Sequence, residues 1–367
     1  MKAALLTELN RPYELQDVDI ARPLGNEVLI EVKGSGLCHS DLHIANNDYG
    51  ILLPILQGHE TAGIVTAVGP DVRSLKVGDH VVACNVGLCG HCDRCLDGRP
   101  SGCRFEGNVD RRPGQDPRVT WEGQPVTTLG GMAGFAEQAL FPEHLLAAIS
   151  KDVPFDRASL LGCGVVTGAG AVIRTAKVRF GDTVAVFGAG GVGLNAIQAA
   201  ALSGASKVIA IDLQPTKLDL AKKFGATHLV NPADGDTVEQ VRALTDGQGV
   251  NHAFEVIGLI PTLEQATQVL DHGGTAYVVG MQRPGSRLSV NVDPMDLSSL
   301  LRREQSVKGV KMGSTNFKLD IPLYAELYLQ GRFNLDDLVS TTIGLEDINE
   351  GYAELEKGKV ARSVITF

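Results

Sequence analysis

The chain has 367 residues, enough for about two domains, and is 44% hydrophobic and 21% charged, which is globular usage and excludes a disordered protein. With 33 Lys and Arg against 43 Asp and Glu, its net charge of −10 argues against nucleic-acid or anionic-membrane partners. No apolar run approaches the ~20 residues of a membrane span, and the stretch before Glu8 is too short for a signal-peptide core. A cytoplasmic protein is therefore expected.

Residues 1–160 read as short strands punctuated by glycine and proline, among them VLIEVKGSG (28–36), TAGIVTAVG (61–69) and DHVVAC (79–84). Segment 104–134 has little periodicity and reads as a long loop; a helical period returns near 164. From 181 to 310 the rhythm changes. TVAVF (183–187), KVIAI (207–211), HLV (228–230), HAFEVI (252–257), TAYVVG (275–280) and SVKGV (306–310) read as buried strands. Helical segments such as 192–203 and 216–224 separate them, and this alternation predicts a parallel, doubly wound α/β sheet. Helices near 320–330 and 346–356 and a last strand, SVITF, follow.

Four of the seven cysteines, Cys89, Cys92, Cys95 and Cys103, fall within fifteen residues. The C-x2-C steps let four thiolates converge on one ion, which predicts a closed structural zinc site. Interleaved charges such as Asp93, Arg94 and Arg104 make the lobe a solvated one. Cys84 follows the apolar run 80–83 and reads as a buried thiol at a strand end.

The run Gly188-Ala189-Gly190-Gly191-Val192-Gly193 sits between a strand and a helix. In that context the glycines make the turn, admit a pyrophosphate and let helix pack on strand, which predicts a dinucleotide site. Asp212 ends the next strand, 24 residues after Gly188. A carboxylate there accepts ribose hydroxyls and repels a 2′-phosphate, so NAD is expected over NADP. Lys217, in the following helix, reads either as a ribose contact or as a surface lysine. Cys38, His59 and Cys163 have metal-ligand chemistry, but spacing alone does not join them; each reads equally as a buried thiol or a core histidine.

Taken in order, GLCHSDLH (36–43), GHE (58–60), the four-cysteine lobe, GCGVVTG (162–168), GAGGVG (188–193), Asp212 and ARSVITF (361–367) resemble the zinc-dependent medium-chain alcohol dehydrogenases over essentially the whole chain. The resemblance implies a mostly β GroES-like catalytic domain of residues 1–163 and 311–367, and a Rossmann domain of residues 164–310, with the active site between them. It implies that Cys38, His59 and Cys163 hold a catalytic zinc with an open fourth position, as known for alcohol dehydrogenases. Asp41 would then orient the ring of His59, Glu60 would lie behind the metal, and Ser40 and His43 would carry a proton to solvent. His39, Thr167, Val256, Val279 and Arg362 would contact the dinucleotide, and loss of charge on His39 with rising pH would weaken cofactor binding. Tyr49, Asn85, Leu129 and Met281 would line the substrate pocket.

The function so implied is reversible oxidation of an alcohol to an aldehyde or ketone, with hydride transfer to NAD and two zinc ions per subunit. Within the family the alternative is a thiol-adduct formaldehyde dehydrogenase. Tyr49 weakens it, because glutathione-using members carry an acidic residue there; Arg111, Arg112 and Arg118 support it as potential carboxylate ligands. A catalytically silent zinc- and nucleotide-binding protein would not need Ser40 and His43, and zinc-free reductases commonly lack the three ligands. The long segment from Cys103 to Phe135 implies a homodimer, joined through Rossmann sheet edges.

Overall fold

A computed structural model of the chain describes residues 1–105, 111, 114–282, 301–358 and 361–367. Arg112 lies outside the described residues. The chain divides into two compact units, Met1–Cys163 with Asn316–Phe367, and Gly164–Thr315. The second unit extends past residue 310, where the sequence places its end. Thr175 Oγ1 donates to Ser314 Oγ at 2.8 Å, and Gly170 packs so closely on Gly313 that a Cβ there would sit 2.6 Å from the Gly313 carbonyl oxygen. These contacts hold residues 311–315 to the second unit.

The second unit is built on short apolar strands that must cross over through helices, so they pair in parallel. Six strands lie in the spatial order His228–Val230, Lys207–Ile211, Thr183–Phe187, Val250–Glu255, Leu270–Val278 and Ser306–Gly309, and every pairing is parallel. Chain order reverses on the two sides of Thr183–Phe187, which makes its C-terminal end the topological switch point where α/β sheets bind ligands. Ala185, Phe187, Ile209, Val230, Ala253 and Ala276 form the core of this sheet. Helix Gly191–Leu202 starts at the switch point, and nine of its residues are buried.

In the first unit the main sheet runs Leu146–Ile149, His80–Ala83, Glu60–Val68, Glu27–Gly36, Arg362–Thr366, Val339–Ile343, with Gln138–Pro142 also pairing Glu27–Gly36. A four-stranded sheet contains Lys2–Leu6, and a three-stranded one contains Val119–Trp121. Leu5, Ile30, Val81, Phe135, Phe141 and Ile365 belong to one core beneath these sheets. One expectation is corrected here. Segment 104–134 is not all loop: Val119–Trp121 and Gln124–Pro125 form a hairpin, with Glu122 and Gly123 both at positive φ, 51° and 76°, as a two-residue primed turn requires. Strands of two or three residues are too short to show an alternation. A helix does begin at Gly164, where the helical period returns, and runs to Gly170; two four-residue helical turns, Phe155–Ala158 and Ser159–Gly162, lead into it and are too short to show a 3.6 period. Among the described residues no single helix is long and apolar enough to cross a membrane.

Candidate functional site

Three elements of the first unit bring Cys38, His59, Glu60 and Cys163 together. Cys38 caps the helix His39–Asn46, directly after the central strand Glu27–Gly36. His59 precedes the strand Glu60–Val68, and Cys163 follows the turn Ser159–Gly162. Gly58, at φ +99°, makes the bend before His59; a Cβ on it would lie 2.6 Å from the backbone nitrogen of Phe135, so only glycine fits. One donor atom from each of the four residues lies within 4.8 Å of the others, and all four residues are buried.

The donors fit a zinc ion. His59 Nε2 stands 3.3 Å from Cys163 Sγ, against about 3.6 Å for the N···S edge of a tetrahedron built on ordinary zinc bond lengths. On the far side of the ring, His59 Nδ1 lies 2.9 Å from Asp41 Oδ2, and Asp41 is fully buried. Burial alone would push the His59 proton off, but Asp41 and Cys38 outweigh it and hold the imidazole pKa well above its usual value. The hydrogen bond from Cys163 holds the Cys38 thiol well below its usual range, and Cys163 is pushed up as its counterpart. A buried pocket that draws a proton onto an imidazole between two sulfurs and a carboxylate is electrostatically suited to a cation. Behind it, burial lifts the Glu60 carboxyl to about 7 against the pull of Arg362, whose Nη2 is 3.5 Å from Glu60 Oε1.

Ser40, Asp41 and His43 share the helix His39–Asn46. Ser40 and His43 are three apart, hence on one helix face, and both are half-buried. His39 is exposed, whereas Arg362 is only 5% exposed and points at Glu60.

The four-cysteine lobe closes on itself. Cys89 and Cys95 sulfurs are 3.9 Å apart and those of Cys92 and Cys103 4.0 Å; four thiolates around one zinc would stand about 3.8 Å apart. Backbone N–H groups of Cys92 and Phe105 donate to Cys89 and Cys103 sulfurs at 3.3 and 3.4 Å. Those of Arg104 and Cys95 bring the Cys92 thiol down to about 6.

In the second unit the glycine turn spans the switch point. Gly193 packs against the strand end: a Cβ on it would fall 1.8 Å from Gly188 O. Gly190 faces open space, with nothing within 4 Å of a Cβ. Asp212 braces the turn, accepting from the backbone N–H of Ala189 at 2.8 Å and of Gln214 at 2.9 Å. Lys217 is half-buried on the next helix, Pro215–Lys223. Thr167 Oγ1 donates to Met312 Sδ at 3.5 Å. Val256 and Val279 leave adjacent strand ends, their N–H groups donating to Phe187 O at 3.1 Å and Glu255 O at 2.9 Å.

Glu255 escaped the sequence reading. It is fully buried, and one carboxylate oxygen accepts from the N–H groups of Ile257 and Gly258 at 2.9 and 2.8 Å and from Thr262 Oγ1 at 2.9 Å. It therefore shapes the loop that carries Val256. The available signal was a carboxylate closing the strand Val250–Glu255 directly after the apolar pair Ala253-Phe254.

The four residues expected to line the substrate pocket are divided: Tyr49, Asn85 and Leu129 belong to the first unit and Met281 to the second. Tyr49, Asn85 and Met281 are exposed and Leu129 is half-buried. Arg111 and Arg118 are corrected as carboxylate ligands. Both guanidinium groups are spent on Glu27, at 2.6 and 2.7 Å, and all three side chains are under 10% exposed. Glu27 offsets one of the two positive charges, and both guanidinium groups are held inside the fold rather than presented to a ligand.

Comparison with known proteins agrees with this geometry. A family model described as alcohol dehydrogenase GroES-like domain matches residues 25–151, and one described as zinc-binding dehydrogenase matches residues 191–326. The chain belongs to the zinc-dependent medium-chain dehydrogenase family, and it has the family's α/β fold, with a GroES-like domain and a Rossmann-like parallel sheet. It is 36% identical to an NDMA-dependent alcohol dehydrogenase of Amycolatopsis methanolica, over 99% of this chain and 98% of the other. It is 35% identical to an S-(hydroxymethyl)glutathione dehydrogenase of a Synechocystis species, over 100% and 99%. Among solved structures, benzyl alcohol dehydrogenase from Acinetobacter calcoaceticus superposes with a TM-score of 0.92 at 35% identity, covering 100% of this chain and 99% of that one.

Proposed function

We propose that this protein is an NAD-dependent zinc alcohol dehydrogenase that interconverts a small alcohol and its aldehyde or ketone. The convergence of Cys38, His59 and Cys163, buried and backed by Asp41, carries the reading. These three residues would hold a zinc ion, which supplies Lewis-acid polarisation of the alcohol oxygen; a second zinc would sit in the four-cysteine lobe. Asp41, through Nδ1, leaves Nε2 of His59 as the ligand atom and fixes the ring. Ser40 Oγ would accept the alcohol proton as its own hydroxyl proton is relayed toward His43, on the same helix face, which would release it to solvent. The dinucleotide, whose nicotinamide accepts the hydride, would lie on the turn Gly188–Gly193, where helix N–H groups face its pyrophosphate. Asp212 favours a free 2′-hydroxyl, hence NAD, and Thr167, Val256, Val279, Arg362 and His39 complete the cofactor contacts. Tyr49, Asn85, Leu129 and Met281 select the substrate.

Thiolate ligands suit the reducing cytoplasm. The edge strand Ser306–Gly309, exposed along its length, supports a homodimer formed through it. The commitment of Arg111 and Arg118 to Glu27 favours a plain alcohol over a carboxylate-bearing thiol adduct. The test is a zinc count per subunit with turnover of primary, secondary and aromatic alcohols, using NAD, NADP or NDMA as acceptor, with and without a thiol–formaldehyde mixture. Two zinc ions and NAD reduction by a plain alcohol are expected. One zinc without turnover would overturn the proposal in favour of a silent binding protein, and turnover only of the thiol adduct would replace the substrate class.

A further inference from the structure

Gln57 is a fully buried amide in the turn before Gly58 and His59. Its neighbours determine which way it points. Its Nε2 lies 3.3 Å from the carbonyl oxygen of Asp41. That carbonyl can only accept, so the NH2 group must face it and Oε1 must face the other way. There the hydroxyl of Tyr13 donates to Oε1 at 2.5 Å. Tyr13 is itself held, stacked on Tyr352 at 5.5 Å between ring centroids and edge-on to Phe135 at 5.8 Å, with all three rings buried. A buried amide is costly unless satisfied, and a satisfied one resists displacement.

The amide therefore ties together two elements that are sixteen residues apart in sequence. One is the first turn of helix His39–Asn46, which carries Asp41 and is capped by Cys38. The other is the turn that delivers His59. The backbone on the His59 side is separately anchored, with Phe135 N–H on Gln57 O at 3.0 Å and Gly134 N–H on Gly58 O at 2.9 Å. The Gln57 side chain is then the shorter of two bonds that fix the helix against this anchored turn, the other being Gly58 N–H on Asp41 Oδ1 at 3.5 Å, and together they set the 2.9 Å approach of Asp41 Oδ2 to His59 Nδ1.

We propose that Gln57, gripped by Tyr13, is a positioning residue that sets the Asp41–His59 pair and thereby the affinity of the three-ligand site for its metal. The proposal rests on Cys38, His59 and Cys163 being zinc ligands. Groups that orient a metal-binding histidine change metal affinity by roughly 10–100-fold when removed.

The experiment is competition of the zinc-loaded, full-length protein against a chromophoric chelator, with the four-cysteine zinc as internal reference. The absorption spectrum after Co2+ exchange gives a second readout. Gln57→Leu should release one of the two zinc ions roughly tenfold or more readily, leave the other unchanged, and alter the Co2+ bands. Gln57→Met keeps the length of the side chain but has no donor for the Asp41 carbonyl; it should show the same selective loss, and it serves where the leucine variant fails to fold. Tyr13→Phe should give the same effect more weakly. Wild-type release of both zinc ions by both Gln57 variants, or equal loosening of both sites with a fall in Tm, overturns the positioning role. Wild-type protein that binds only one zinc overturns the underlying reading and the proposal with it.

Discussion

Two glycines of one turn should fail in opposite ways when given a methyl group. In Gly193→Ala the new Cβ would stand 1.8 Å from Gly188 O and 2.9 Å from Gly188 C. Ordinary contact begins near 3.4 Å, so helix and strand end must part by more than an ångström. Overpacking of this kind costs roughly 1–3 kcal/mol, which lowers Tm by several degrees at about 2–4 °C per kcal/mol. Gly190 has φ −82° and ψ −171°, open to any residue, and nothing within 4 Å of a Cβ. Gly190→Ala should therefore leave Tm unchanged. Its methyl would instead fill the space through which a pyrophosphate approaches the helix N–H groups. Losing one charge-assisted hydrogen bond there costs about 1.5–3 kcal/mol, or roughly ten- to a hundredfold in Kd. Thermal denaturation and NADH fluorescence titration of the two variants separate the cases. NADH affinity of the wild-type level in Gly190→Ala would refute the placement of the pyrophosphate on this turn.

Three further outcomes are expected. Glu27→Ala leaves Arg111 and Arg118 buried and unpaired, at a cost of about 3–5 kcal/mol, measurable as a lower urea midpoint. Burial pushes the Glu27 carboxyl up, but hydrogen bonds from Arg111, the Leu24 N–H and Arg118 outweigh it and hold it below its ordinary value. Its stabilisation is thus full above the unfolded glutamate pKa of about 4.3 and is lost as pH falls through the lower folded value; wild type and variant should converge in stability in acid, and a constant gap between them at every pH would contradict this. Cys84, fully buried and pushed up to about 12 by that burial, should resist iodoacetamide in the native protein at pH 8 and react after unfolding; native modification found by peptide mapping would contradict its inertness. Asp212→Ser should erode the preference for NAD over NADP by at least about tenfold, a change of 1.4 kcal/mol, and an unchanged ratio of kcat/KM values would place cofactor choice elsewhere.

The inner parallel strands were legible because a strand buried on both faces is a continuous apolar run, and TVAVF and KVIAI match Thr183–Phe187 and Lys207–Ile211 residue for residue; Ser306–Gly309, read as a buried strand, is instead an edge strand exposed along its length. The helices Phe317–Leu329 and Ile348–Glu356 were found within a few residues of their ends. The cysteine lobe was legible because its ligands are neighbours in sequence. Cys38, His59 and Cys163 were not joined by spacing at all; only the ordered resemblance brought them together. What escaped depends on partners that sequence does not reveal. Arg111 and Arg118 looked like free cations until Glu27, more than eighty residues away, was seen between them. Gln57 is one polar residue in an apolar stretch, and its meaning lies in Tyr13 and the Asp41 carbonyl. The hairpin at Glu122–Gly123 is set by two positive φ angles rather than by any hydrophobic pattern.

Arg362–Thr366 lies between Glu27–Gly36 and Val339–Ile343 in the main sheet of the first unit. That strand is synthesised only after the whole of Gly164–Thr315 has left the ribosome. During translation, then, the second unit can mature while the first waits with an open edge, its inner strand exposing unpaired amides to any passing chain. Emergence of the last strand closes that gap and, in the same step, brings Arg362 to Glu60. A chain cut short before Arg362 would thus be left with a sticky edge beside Glu27–Gly36 and with no guanidinium at Glu60.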